Sequence, residues 1–296
     1  MVKFGPSGNS DSFYALGFQS TLDTPKYLSE RGLDAYEYSF GRGVNLTVDK
    51  AALFGEEFKK YNIEVSVHAP YFINFANTDD EMIKKSVMYV LSSLKRLKAM
   101  GGKRCVFHPA AQGKLTRQEA FEITKRNIEK LLYSVYESGY GDMILCPETM
   151  GKINQIGTVE EVLDICKMDR IFIPTLDFGH INARGRGILK VKDDFRAVLD
   201  TVFKELGEER ARSIHIHFSK IQYGGSGEVR HLTMEDQIYG PHFEPLAELL
   251  YEYRMTPVVL SESNGTQAED AVLMKRIYLD VVKKNSTGRG DGYAEV

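Results

Sequence analysis

Seven histidines stand in the chain, and most of them keep company that could do chemistry. Ser66-Val67-His68-Ala69-Pro70, Phe107-His108-Pro109, Pro147-Glu148-Thr149, Asp177-Phe178-Gly179-His180, His215-Ile216-His217 and Ser261-Glu262-Ser263 each place an imidazole or a carboxylate where a short apolar run ends. One such residue alone is most often a hydrogen-bonded structural group, but a series of them is a set that can converge. Imidazoles with carboxylates and no thiolate suit Zn²⁺, Mn²⁺ or Fe²⁺, and a bridging carboxylate lets one cluster hold several ions. Two or more divalent ions ~3.5–4 Å apart lower the pKa of a shared water and clamp the attacking and leaving oxygens of a phosphodiester.

Residues so far apart in the chain must be brought together by regular elements. β-rich runs at 2–5, 35–40, 64–69, 104–108, 143–148, 171–177, 213–218 and 257–262 alternate with amphipathic stretches at 25–31, 48–61, 79–100, 116–138, 159–167, 191–205, 243–253 and 268–284. Strands alternating with helices are βα units around a parallel sheet. Thr78 or Asp79 before Glu81, and Thr116 with Glu119, supply helix starts, while Gly101-Gly102 and Gly139 supply stops. Eight such units without a linker or repeat predict an α/β fold, a single-domain (β/α)8 TIM barrel over 1–284, with the active site at the carboxyl ends of the strands. Residues 285–296 read as a polar C-terminal tail, in which Asn285-Ser286-Thr287 and Arg289-Gly290-Asp291 are chance matches to short motifs.

The 296 residues are 43% hydrophobic and 27% charged, enough to bury a core and too ordered in composition for a fibrous or disordered chain. The net charge of -3 gives no global field that would draw in a polyanion, so a nucleic-acid partner needs a local basic surface or bound metal. Cys105, Cys146 and Cys166 sit in apolar runs as reduced thiols, and no run of about 18 apolar residues appears. The N-terminus lacks a signal-peptide pattern. These features read as a cytoplasmic protein, monomeric by default, with no membrane partner.

The segment Ser66-Val67-His68-Ala69-Pro70-Tyr71-Phe72-Ile73-Asn74 resembles the S-x-H-A-P-Y-x-I-N signature of the endonuclease IV family. Matches at His108-Pro109, Glu148, Asp177 with His180, His215 with Ser219-Lys220, and Glu262 follow in the family's order. The resemblance implies a zinc-dependent endonuclease that cuts DNA 5′ to abasic sites in base excision repair, with two or three Zn²⁺ ions. Carried over by position, His68, His108 and Glu148 would hold the first ion; Glu148, Asp177, His215 and Glu262 the second; His180 and His231 the third. Glu148 and Glu262 would be the catalytic acids, positioning the metals and the attacking hydroxide. Where the family has an aspartate two residues before the last histidine this chain has Val229, with Glu228 one position further back, so the third site departs from the pattern. His217 stands at the family's asparagine position and is read as turned away from His215 by strand alternation, packing the barrel wall, with a ligand or substrate contact as the alternatives.

Arg42, Tyr71, Phe72 and Lys220 occupy the loops by which the family enters the minor groove, so they are the expected DNA or substrate contacts. Arg184 and Arg186 are further candidates for phosphate contacts, and Tyr71 with Phe72 would equally form the rim of a small-molecule pocket. The chain also resembles sugar isomerases and epimerases of the same barrel in Glu148, Asp177, His215 and Glu262. There one ion would bind a sugar-like hydroxy-ketone while Glu148 and Glu262 shuttle a proton. Extra imidazoles at 68, 108 and 180 favour the multi-ion cluster. A metal-binding barrel without turnover is the third reading. The segment 219–242 is long for a barrel connection and carries Glu228, His231, Glu235, Asp236 and His242, any of which could complete a ligand set.

Overall fold

The structure is a computed structural model that describes residues 1–287. Eight strands alternate with helices along it: β1 Lys3–Pro6, β2 Ala35–Ser39, β3 Glu64–His68, β4 Arg104–Phe107, β5 Ile144–Pro147, β6 Thr175–Asp177, β7 His215–Phe218 and β8 Val258–Ser261. Strands β2, β3, β4 and β5 pair in parallel, with Val67 opposite Cys105 and Cys105 opposite Leu145. Strands β6, β7, β8 and β1 form the second parallel ladder, with Thr175 opposite His215, His215 opposite Val258 and Val258 opposite Lys3. The two ladders close on each other at two seams. One is a parallel bridge between Ser7 and Glu37; the other joins Leu145 to Phe172 and Glu148 to Thr175. The eight-stranded barrel expected from the sequence is therefore closed.

Val, Ile, Leu, Cys and Phe dominate these strands because both faces are covered, one by the barrel interior and one by helices. Cys105, Cys146 and Cys166 are all buried, free thiols. Helix Asp80–Ala99 starts on the Asp79 carboxylate, which accepts from Glu81 N at 2.8 Å. Helix Arg117–Glu137 starts on a capping box between Thr116 and Glu119. These caps answer N–H groups that have no partner inside the helix.

At the first seam the backbones leave no room for a side chain. A Cβ on Gly5 would lie 1.7 Å from the Ala35 carbonyl oxygen. Gly5→Ala must force β1 from β2, and we expect it to cost ~3 kcal/mol of folding stability. Urea unfolding checks this, and a midpoint equal to that of the parent would refute it.

Some boundaries differ from the expected ones. The chain adds a short helix Asp11–Ala15 before Thr24–Ser29. The helix expected over 191–205 is Lys192–Arg212, broken where Gly207 takes φ 75°. Strand β6 is shorter than 171–177, because only an isolated bridge at Phe172 precedes Thr175. The last helix, Gln267–Thr287, takes in the first residues of the expected tail. There Asn285 Nδ2 donates to the Val281 carbonyl and Ser286 Oγ to that of Val282. Arg289-Gly290-Asp291 and the rest of that tail lie outside the described residues. Segment 219–242 folds partly as a hairpin, Ile221–Gly224 against Gly227–His231. Among the described residues no helix is long and apolar enough to cross a membrane.

Candidate metal centre

The carboxyl ends of β3 to β8 do converge, and Glu148 is the point on which they meet. It follows β5 directly and is fully buried. Its Oε2 lies 3.1 Å from His68 Nε2 and 3.1 Å from His108 Nε2. His68 Nδ1 lies 2.8 Å from the Ala69 carbonyl, which can only accept, so Nε2 is the nitrogen left for the cage. These three groups share one point in space, as the sequence reading proposed for a first ion.

The other oxygen, Oε1, faces His217, whose Nδ1 is 3.0 Å away and 3.4 Å from Glu262 Oε1. Ligand atoms of Glu148, Asp177, His217 and Glu262 lie within 4.8 Å of one another. The structure brings His217, not the expected His215, together with these acids. Residues two apart on a strand share a face, so both imidazoles of β7 point into the barrel, with ring centroids 5.2 Å apart. His217 lies nearer the carboxyl end and reaches the cage. His215 lies one layer deeper, its Nε2 3.1 Å from Glu37 Oε2.

The third group is His180, Glu228 and His231. Glu228 Oε2 is 3.4 Å from His180 Nε2, and its Oε1 is 3.9 Å from His231 Nε2. His180 Nδ1 lies 2.9 Å from the Thr149 carbonyl, and His231 Nδ1 lies 2.9 Å from Ser219 Oγ, which leaves both Nε2 atoms for Glu228. The local reason is a β-bulge in the hairpin. Arg230 pairs with Gln222 but Glu228, not Val229, pairs with Tyr223. The extra residue resets the alternation, so Val229 is 56% exposed while Glu228 turns in. The acid that the spacing left missing is thus supplied one residue earlier.

The donor chemistry fits cations. Asp177 Oδ2 is buried and has no hydrogen-bond partner among the described residues, although His180 Nδ1 is 3.2 Å away. Burial pushes the Asp177 carboxyl up to about 6, helped by the charges of Glu262 and Glu148. Burial opposes protonation of His68, yet the hydrogen bond and charge of Glu148 outweigh it and raise the imidazole to about 9. Glu148 is itself held well below the usual carboxylate range against its burial, above all by the charge of His217. Burial depresses His108 and takes His215 down to about 4. Without metal, protons on the imidazoles supply the positive charge the carboxylates require, and cations would take their place.

A cleft of 290 Å³ opens onto these groups, lined by His68, His108, His180, His231, Glu228 and Glu262 together with Ser7, Ser39, Tyr71, Met150, Lys152 and Gln155. Tyr71 stands over it with its ring 6.4 Å from that of His108, and Tyr71 and Phe72 are 56% and 55% exposed. Arg42 is exposed in the loop after β2. Lys220 does not reach the cleft, since it is buried with its ammonium on the Asp236 carbonyl. Arg184 donates to the carbonyls of Met150, Lys152, Ile153 and Gln155, which ties down the loop after β5, while Arg186 is exposed. Of the acids and imidazoles in 219–242, Glu228 and His231 join the centre; Glu235 and His242 are exposed and Asp236 caps its own loop. Glu37 was missed by the sequence reading. Its signal is a lone acid on the inward-facing alternation Ala35, Glu37, Ser39 of an otherwise apolar strand.

The family profile described as xylose isomerase-like TIM barrel matches residues 25–275. The chain is 31% identical over 277 residues to an uncharacterized protein, MJ0133, of Methanocaldococcus jannaschii, covering 93% of this chain and 96% of the other. It is 25% identical over 217 residues to a probable endonuclease 4 of Aquifex aeolicus, covering 70% and 75%. Among solved structures, endonuclease IV from Thermus thermophilus superposes with a TM-score of 0.67 at 19% identity, covering 90% of this chain and 95% of that one. An L-ribulose 3-epimerase does so with a TM-score of 0.67 at 12% identity, covering 99% and 100%. At such identities the two superpositions speak to the fold, and the profile match spans most of the barrel. The chain belongs to the xylose isomerase-like TIM barrel family.

Proposed function

We propose that this protein is a metal-dependent phosphodiesterase of the endonuclease IV type, cutting DNA 5′ to abasic sites. The observation that carries this reading is the double use of Glu148, with Oε2 toward His68 and His108 and Oε1 toward His217. Glu148 would be shared between two cation sets, and His180, Glu228 and His231 would offer a third beside them. The imidazole and carboxylate donors suit Zn²⁺, with Mn²⁺ or Fe²⁺ as alternatives. The chemistry such cations would supply is an activated water and neutralisation of charge on the departing 3′ oxygen.

The chain's own residues do the rest. Glu148, Asp177, His217 and Glu262 form the floor of the site, the first three of them buried. Tyr71 lines the cleft, and exposed Phe72 and Arg42 stand in the loops after β3 and β2, where aromatic and guanidinium groups would enter a minor groove and hold a kinked, base-less step open. Lys152, on the cleft wall, offers a charge to a backbone phosphate.

The test is incubation of the zinc-loaded protein with a duplex carrying one synthetic abasic site. We expect a single nick 5′ to that site, absent from the intact duplex and abolished by chelator. A protein that holds two or three ions and leaves the abasic strand whole overturns the proposal. A second reading has its own observation, because Glu148, Asp177, His217 and Glu262 form a complete single-ion set without the outer histidines. One tightly held ion, with solvent-deuterium exchange beside the carbonyl of a ketose, would make the protein an isomerase or epimerase in which Glu148 and Glu262 move the proton.

A further inference from the structure

Below the cage lies a carboxylate to which none of these readings gives work. Glu37, on β2, is fully buried. Its Oε1 accepts from Ser7 Oγ at 3.2 Å and lies 3.0 Å from His217 Nε2. Its Oε2 accepts from Ser66 Oγ at 3.0 Å and lies 3.1 Å from His215 Nε2. Ser66 stands opposite Glu37 in the β2–β3 register, and Ser7 meets it across the first seam. Four strands thus contribute to a cradle for a group that is costly to bury.

What the cradle does is visible at His217. Nδ1 of its ring is hydrogen-bonded to Glu148 Oε1 at 3.0 Å, whereas Nε2 is buried without a hydrogen bond of good geometry among the described residues and has Glu37 Oε1 3.0 Å away. A neutral imidazole has one N–H and one lone pair, and a carboxylate can only accept. A proton on Nε2, with the Glu37 carboxylate 3.0 Å away to hold it, would leave the Nδ1 lone pair aimed into the cage.

We propose that Glu37 is the positioning residue of the centre, fixing the tautomer and ring orientation of His217, with His215, Ser66 and Ser7 holding Glu37 in turn. The inference rests on reading Glu148, Asp177, His217 and Glu262 as a metal-binding set. An outer acid that grips the far nitrogen of a ligating histidine raises the ligand's basicity as well as orienting it, and losing such an acid typically weakens metal binding by about 10–100-fold. The cradle also explains why His215 and His217 sit together on β7: one ligates and the other helps to hold the acid that orients it.

The experiment compares the full-length protein with Glu37→Gln, titrating Zn²⁺ against a chromophoric chelator and recording thermal unfolding of both proteins in excess chelator. We expect Glu37→Gln to bind its tightest zinc at least about tenfold more weakly, with zinc-free unfolding close to that of the parent. Glu37→Asp, which keeps the charge but shortens the reach, should recover part of the loss. Equal zinc affinity in parent and Glu37→Gln overturns the positioning role, and so does a loss confined to the zinc-free unfolding temperature. A parent that binds no zinc instead overturns the metal reading itself. If Glu37→Gln does not fold, nitrogen-15 spectra of histidine in the zinc-loaded parent decide: a proton on His217 Nε2 is expected, and an Nε2 without one overturns the proposal.

Discussion

On the endonuclease reading, Glu148→Ala is expected to leave fewer than two ions on the chain and to slow strand cleavage by about 10³-fold or more. The size follows from where the carboxylate sits. It is the one group shared between the His68–His108 pair and the Asp177, His217, Glu262 set, so its removal takes an oxygen from two sites together. A cation contributes several kcal/mol to the charge that develops in phosphoryl transfer, and each tenfold in rate is about 1.4 kcal/mol. There is an electrostatic loss as well. The charge of Glu148 helps to hold the protons of His68, His180 and His217 in the metal-free cage, and alanine leaves those imidazoles facing one another across a void. Elemental analysis and nicking kinetics on the same preparation check the result. Unchanged metal content would remove Glu148 from the centre.

Stripping the metal from the parent protein should lower its melting temperature by about 10 °C. A ligand present at ~1,000 times its dissociation constant stabilises the folded state by about 4 kcal/mol, and for chains approaching this length each kcal/mol moves the midpoint by ~2–4 °C. The effect should return on adding zinc and should be small in Glu148→Ala. Scanning calorimetry with and without chelator reads it directly. Identical midpoints would show that the buried carboxylates and imidazoles satisfy each other and hold no cation.

The barrel was legible in the sequence because its signal is repeated: eight apolar runs, each followed by an amphipathic stretch with its own caps, agree on one architecture. The grouping of His68, His108 and Glu148 was legible for a different reason, since each ends or directly follows a strand and strand ends are where such barrels collect their polar groups. What failed first was the use of the period, because His217, read as turned away from His215, lies two residues from it and so on the same face of β7. His215 and His217 are both inward, and choosing between them requires the depth of each along β7, which no residue pattern states. Glu228 was obscured by a bulge that shifts one side chain across the hairpin without changing the composition. Lys220 looked available as a charged residue after a strand, but its ammonium is spent on the Asp236 carbonyl of a loop that sequence does not place. Glu37 gave only a single acid between two tyrosines, and its meaning comes from Ser7, Ser66, His215 and His217, contributed by three other strands.

The two seams give the centre a mechanical meaning. Ser7 to Glu37 and Leu145–Glu148 to Phe172–Thr175 divide the barrel wall into halves, each knitted by its own continuous ladder. His68, His108 and Glu148 belong to one half, whereas Asp177, His217 and Glu262 belong to the other. An ion held by Glu148 together with Asp177, His217 and Glu262 would be a clasp, adding side-chain links between two ladders that the backbone joins through Gly8 N to the Glu37 carbonyl at one seam and Thr149 N to the Thr175 carbonyl at the other. Both seams lie beside the acids of the centre, with Glu37 bridged to Ser7 at the first and Glu148 bridged to Thr175 at the second.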